Sequence, residues 1–193
     1  MKRFFVYIFL MSLSTVTAQT TSDRFSILNV DANTRNNEFG TILTDDGSIF
    51  YSKSTYKNSP DFNEKGANLY KGVLEPKGQI SKGLKFPTDA THAVFTKDGT
   101  TVYYSKKNGN KNFQLYRARI DRTGRWKNNT LLPFNNPNYT YKQPALNQDN
   151  TKLFFVSNMP GGFGGNDICS VSIEDKGINF GEPVNLGENI NTL

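Results

Sequence analysis

The run Gln148-Asp149-Asn150-Thr151-Lys152-Leu153-Phe154-Phe155-Val156-Ser157-Asn158 decides the reading of this chain, because two earlier segments repeat it at near-constant distance. They are DDGSIFYSK from Asp45 to Lys53 and KDGTTVYYSK from Lys97 to Lys106. The turn aspartates Asp46, Asp98 and Asp149 stand 52 and 51 residues apart, and the first apolar residues after them, Ile49, Val102 and Leu153, stand 53 and 51 apart. A period of about fifty residues marks a repeat architecture, in which one supersecondary unit recurs and buries its faces against its neighbours.

Each unit reads as four short strands. In the first, strands are expected over 39–44, 49–52, 68–74 and 80–86; in the second, over 92–96, 101–105, 113–120 and 126–134; in the third, over 143–147, 152–157, 167–173 and 180–186. Asp46-Gly47 and Asp98-Gly99 are tight-hairpin pairs, since glycine takes positive φ freely and aspartate tolerates it. Asn150 takes the glycine's place in the third copy, because asparagine also visits the left-handed region. No segment keeps an apolar spacing of three and four long enough for a helix, so the fold class is all-β. The second strands are continuously apolar or aromatic (Ile49-Phe50-Tyr51, Val102-Tyr103-Tyr104, Leu153-Phe154-Phe155), the pattern of strands covered on both faces. Phe154 is accordingly expected to be a core residue packed between blades. On the third strands Tyr70, Tyr116 and Cys169 fall at matching places, which makes Cys169 a small buried hydrophobe.

The repeats divide the chain at about 37–87, 88–137 and 138–193. Before them come an expected signal peptide over 1–18 and a lead-in over 19–36. Lys2 and Arg3 form its basic end, Phe4 to Leu13 an apolar stretch too short to span a bilayer, and Val16-Thr17-Ala18 a cleavage site. Leu28 to Thr34 also resembles Leu186 to Thr192, as though a fourth repeat should begin at the C-terminal end. With no cap visible in the sequence, the outer blade faces are expected to invite self-association through open edges.

The single cysteine excludes an internal disulfide, and stability must come from packing. Without Lys2 and Arg3 the chain carries 21 basic and 17 acidic residues. The densest basic cluster, Arg117, Arg119, Arg122, Arg125 and Lys127, reads as a solvated outer strand, and with no binding motif present nucleic acid is not an expected partner. His92 is the only histidine and reads as a strand-end residue. There is no Gly-x-Ser-x-Gly elbow, so a Ser-His-Asp triad has no local support. The loop Met159 to Asp167, with Gly161, Gly162, Gly164 and Gly165, lacks the Lys-Ser/Thr pair of a phosphate-binding loop. It approaches a calcium-binding glycine nonapeptide with Asp167 as the weak candidate ligand, but has one residue too many and occurs once. Its simpler reading is a sharp connection anchored by Asp167. No catalytic residue, cofactor or metal follows from these patterns.

FFVSNMPGGFGGNDI (154–168), NDICSVSI (166–173) and FGEPVNLGENINT (180–192), together with the two Asp-Gly hairpins, resemble the WD-like repeats of TolB-type β-propellers. More narrowly they are similar to the N-terminal propeller of OmpA-family envelope proteins of Bacteroidetes-type bacteria. The resemblance covers about residues 28–193 and implies three four-stranded antiparallel blades of a six-bladed propeller. It further implies an exported protein of the periplasm or outer membrane that binds an envelope protein or a cell-wall-associated polymer without catalysis. The alternatives are the propeller part of an exported peptidase or glycosidase, or a carbohydrate-binding propeller using exposed tyrosines and Trp126.

Overall fold

The computed structural model describes residues 29–57, 67–109 and 112–193. The expected signal peptide and the lead-in as far as residue 28 lie outside the described residues. The chain forms three antiparallel sheets in chain order, which are three blades of a β-propeller. Blade one is β1 (Asn36–Leu43), β2 (Ser48–Lys57), β3 (Asn68–Val73) and β4 (Leu84–Lys85). Blade two is β5 (Ala90–Phe95), β6 (Thr101–Lys107), β7 (Phe113–Ile120) and β8 (Trp126–Leu131). Blade three is β9 (Tyr141–Leu146), β10 (Lys152–Ser157) and β11 (Asp167–Glu174), with β12 (Asn179–Phe180) and β13 (Val184–Asn185) both pairing with β11.

The fourth strands of blades one and three are the weakest elements. The expected strand over 80–86 reduces to a single bridge from Ile80 to Leu74 and the two-residue β4, after a 3-10 turn at Pro76–Gly78. The expected strand over 180–186 splits around Gly181 and Pro183, since proline supplies no ladder donor and glycine no side chain to pack.

The second-strand triplets set the stacking of the blades. Successive side chains on a strand point to opposite faces. Phe50 therefore packs toward blade two, in a core with Ala93, Val102, Tyr104 and Ala118. Tyr103 packs toward blade three, in a core with Leu153, Phe155, Cys169 and Val171. The middle residue of each triplet thus faces the following blade, and the outer two face the preceding one.

That rule places Phe154 on the outer face of blade three. It is only half-buried, so the expected burial between two blades is corrected for this copy. Around it Ile168 is 41% exposed and Val184 59%. At the other end, Ile49 and Tyr51 face away from blade two but are buried all the same. Ala32, at 5% exposure, packs on them with half-buried Val30, so the first blade carries a cap that the sequence reading missed.

The inner strands of blades one and two come together where Phe39 of β1 lies 5.1 Å from the ring of His92 on β5, and β9 meets the second strand of blade two where the Gln143 backbone N–H donates to Ser105 Oγ of β6 at 3.2 Å. His92 is buried within β5, with Nδ1 3.2 Å from Thr91 Oγ1. Its neighbour Gly40 has φ +63, and a Cβ there would stand 3.1 Å from His92 Cδ2, so this close approach of the inner strands needs a glycine.

Candidate functional site

The three repeated aspartates build turns. Thr44 Oγ1 donates to Asp46 Oδ1 at 2.6 Å, the Ser48 amide donates to the same oxygen at 3.0 Å, and Ser48 Oγ donates to Oδ2 at 3.0 Å. Asp98 repeats the pattern with Thr96 Oγ1 at 2.6 Å, the Thr100 amide at 3.1 Å and Thr100 Oγ1 at 2.9 Å. Asp149 accepts from the Thr151 amide and hydroxyl. Hydrogen bonds to the charged form favour it. The threonine hydroxyl first, then the backbone amide, hold Asp46 and Asp98 below the usual carboxylate pKa, with a further contribution from Lys71 and Arg119 respectively.

Two of these turns form the mouth of a cavity of about 410 Å³ between blades one and two. Its wall from blade one carries Phe50, Ile42 and Leu43; its wall from blade two carries Phe95, Ile120 and Trp126. Ring contacts run without a break from Phe95 to Phe50 (4.6 Å between centroids), Phe50 to Phe86 (5.5 Å) and Phe86 to Trp126 (4.9 Å). The Lys71 ammonium lies 5.4 Å over the Phe50 ring, a cation–π arrangement. Asp45, Asp46 and Asp98 stand at the mouth with Lys97. Trp126 is half-buried and also packs on Tyr104 at 5.0 Å. Burial pushes the Tyr104 hydroxyl up to about 12; it donates to Asn129 Oδ1 at 2.9 Å.

The corresponding space between blades two and three is closed. Tyr103 stands where Phe50 does, Arg117 where Lys71 does, Phe180 where Trp126 does, and Gly177 where Gly124 does, by the ladder registers. Gly177 is buried, and a Cβ on it would lie 2.5 Å from Tyr103 Oη and 3.3 Å from Arg117 Nε. Gly124 is exposed and meets nothing within 4 Å. Turn length makes the difference: five residues lie between Ile120 and its partner Trp126, but six between Ile173 and its partner Phe180. The extra residue brings the turn of blade three down onto Tyr103 and Arg117.

The remaining residues singled out from the sequence lie elsewhere. Tyr70 stacks on Tyr51 and Tyr116 on Tyr104, at 5.7 and 5.6 Å. Cys169 takes the same place opposite Phe155, fully buried, its thiol pushed up to about 11 by burial with a smaller effect of Asp167. Of the basic cluster, Arg119, Arg122, Arg125 and Lys127 are exposed, while Arg117 is half-buried with its Nε covered and without a hydrogen-bond partner.

In the glycine loop, Asp167 Oδ2 accepts from the Phe163 amide at 2.7 Å and from Asn185 Nδ2 at 2.9 Å, while Oδ1 is buried without a hydrogen-bond partner. Gly161 has φ +86, Gly162 packs against the carboxylate, Gly164 against the Thr192 carbonyl, and Gly165 is open. Among the described residues, no three His, Cys, Asp or Glu side chains come together as a metal site.

No protein-family model and no curated protein matches this chain. Solved structures do resemble it. TolB from Acinetobacter baumannii aligns at 16% identity and a TM-score of 0.47, over 81% of this chain and 34% of that one. A puromycin-hydrolysing peptidase of Mycobacterium tuberculosis aligns at 14% identity and 0.48, over 80% and 24%. A thermostable family-43 glycoside hydrolase aligns at 16% and 0.48, over 79% and 54%. The chain thus spans between about a quarter and a little over half of their lengths. Likeness of this degree leaves function to be read from the residues.

Proposed function

We propose that this chain is an exported β-propeller module that acts by binding an envelope protein or a cell-wall-associated polymer, without catalysis of its own. The open cavity between blades one and two carries this reading. It offers an aromatic floor, and at its mouth the carboxylates of Asp46 and Asp98 are each engaged by three hydrogen bonds. A carboxylate held ionised in this way is a fixed charge, suited to recognition and poorly suited to accepting a proton near neutral pH. The basic and apolar leader at residues 1–18 supports export, to the periplasm or to the outer membrane. The resemblance of the third repeat to OmpA-family envelope propellers supports a six-bladed ring and a place in envelope assembly.

The test sets binding against turnover. The full chain should bind envelope fractions saturably and release no product from peptide or glycoside substrates. Turnover that disappears on substitution at the cavity would overturn the reading in favour of a hydrolase part.

A further inference from the structure

The two inter-blade spaces have the same parts in the same register, yet one is filled by the protein and the other is open. In the filled one, the turn of blade three lies on an aromatic ring and a guanidinium, through Gly177 against Tyr103 and Arg117. In the open one, the same positions hold Phe50 and Lys71, and the shorter turn leaves Gly124 away from them. The filled space therefore displays the kind of object that fits the open one, a length of peptide chain laid across a ring and a cation.

Charge narrows the choice further. The chain as a whole is basic, at formal +6, but the residues lining the mouth set three carboxylates, Asp45, Asp46 and Asp98, against two ammonium groups, Lys71 and Lys97, with the Arg119 guanidinium acting on Asp98 from outside the lining. Asp46 and Asp98 stay ionised through their turn hydrogen bonds, so this negative character is fixed. Leu43, 57% exposed at the rim, adds an apolar lip. An acidic mouth over an aromatic floor complements a cationic segment with an apolar anchor and repels an anionic polymer.

We propose that the cavity between blades one and two docks an external peptide segment bearing one large apolar side chain next to lysine or arginine. This rests on the reading of the chain as a binding module and names the partner's chemistry. The apolar anchor lies on the floor formed by Phe50, Phe95 and Trp126, and the neighbouring cation meets Asp46 and Asp98.

Fluorescence anisotropy of the full chain with dye-labelled peptides tests it. The probe carries phenylalanine between two lysines, with glycine at both ends. It should bind saturably, and roughly tenfold more tightly than versions with glycine at the centre or glutamate for lysine, a ratio equal to about 1.4 kcal/mol. Leu43→Lys, which places a cation on an exposed rim site, should weaken binding by a similar factor. Phe95→Leu, which installs the residue type found at Leu146 in the closed space, should weaken it severalfold, with the thermal unfolding of both variants confirming that they fold.

Equal binding of the glycine-centred or glutamate peptides overturns the proposal, as does unchanged binding by Leu43→Lys. Binding of chitooligosaccharide or anionic glycan with no binding of the lysine peptide also overturns it, yet leaves the binding-module reading intact. Turnover of substrates by the chain, in contrast, defeats that reading itself.

Discussion

Phe155 stands directly opposite Cys169 in the β10–β11 ladder, where blades one and two set one tyrosine against another. The thiol stands at the position of a ring in the other two blades, is fully buried, and its pKa is pushed up to about 11. The thiolate is the reactive form, and at pH 8 only roughly one thiol in a thousand is ionised at such a pKa. Iodoacetamide at pH 8 should therefore label Cys169 slowly in the native protein and rapidly in urea. Native labelling as fast as in urea would show that the blade two–blade three core opens readily.

The same core separates two adjacent phenylalanines. Phe155 is 1% exposed and packs on Phe134 at 5.4 Å and Tyr141 at 5.8 Å, so Phe155→Ala should cost about 3–5 kcal/mol. Phe154 faces outward on blade three and is half-buried, so Phe154→Ala should cost roughly half as much or less. Urea denaturation of the two variants measures the difference. Equal losses would mean that the outer face of blade three is covered in solution.

These two residues also show how far the sequence could be read. The hairpin aspartates and the apolar triplets announce three blades because the Asp-Gly turn and the period of two act locally. Phe154 looks identical to Phe50 and Tyr103 in sequence, and only the position of its blade leaves it half-open. The fourth strand of blade three is shorter than its apolar residues Phe180, Val184 and Leu186 suggest, because Gly181 and Pro183 interrupt the pairing between them. The cap went unnoticed because Ala32 has little apolar surface to signal its role. The cavity was invisible for a different reason: it depends on one residue of turn length between Ile120 and Trp126 compared with Ile173 and Phe180, and turn length acts through the tertiary placement of Gly124 and Gly177.

Acid should weaken the hairpins in a defined window. Asp46 and Asp98 have folded pKa values below their ordinary value of 3.8, chiefly through the Thr44 and Thr96 hydroxyls. A depressed folded pKa contributes stability that is fully present above the unfolded pKa and is lost as pH falls through the folded one. Thermal midpoints should therefore hold steady from neutral pH to about pH 4 as far as these groups are concerned, then fall. Asp98→Asn should lower the midpoint at pH 7, and its deficit relative to the unsubstituted chain should shrink below pH 3.8. A deficit that stays constant across that window would show that the turn depends on the shape of the side chain and not on its charge.

The glycine loop gives the sharpest contrast between two neighbouring positions. A Cβ on Gly162 would lie 2.0 Å from Asp167 Oδ2, inside any permitted contact, and Asp167 has little freedom to retreat. It is 3% exposed, and that same oxygen is held by the Phe163 amide and by Asn185 Nδ2. Asn185 is tied in turn to Asn191, whose side chain pairs with both backbone groups of Ile168. Displacing Asp167 would therefore disturb the start of β11 and the C-terminal segment together. Gly162→Ala should cost about 1–3 kcal/mol, the range for overfilling a packed site. Gly165 meets nothing within 4 Å and has no positive φ, so Gly165→Ala should stay within about 0.5 kcal/mol of the unsubstituted chain. Urea unfolding of the two variants decides it. A neutral Gly162→Ala would mean that Asp167 is free to move, and the loop would then be held by its turns and not by the buried carboxylate.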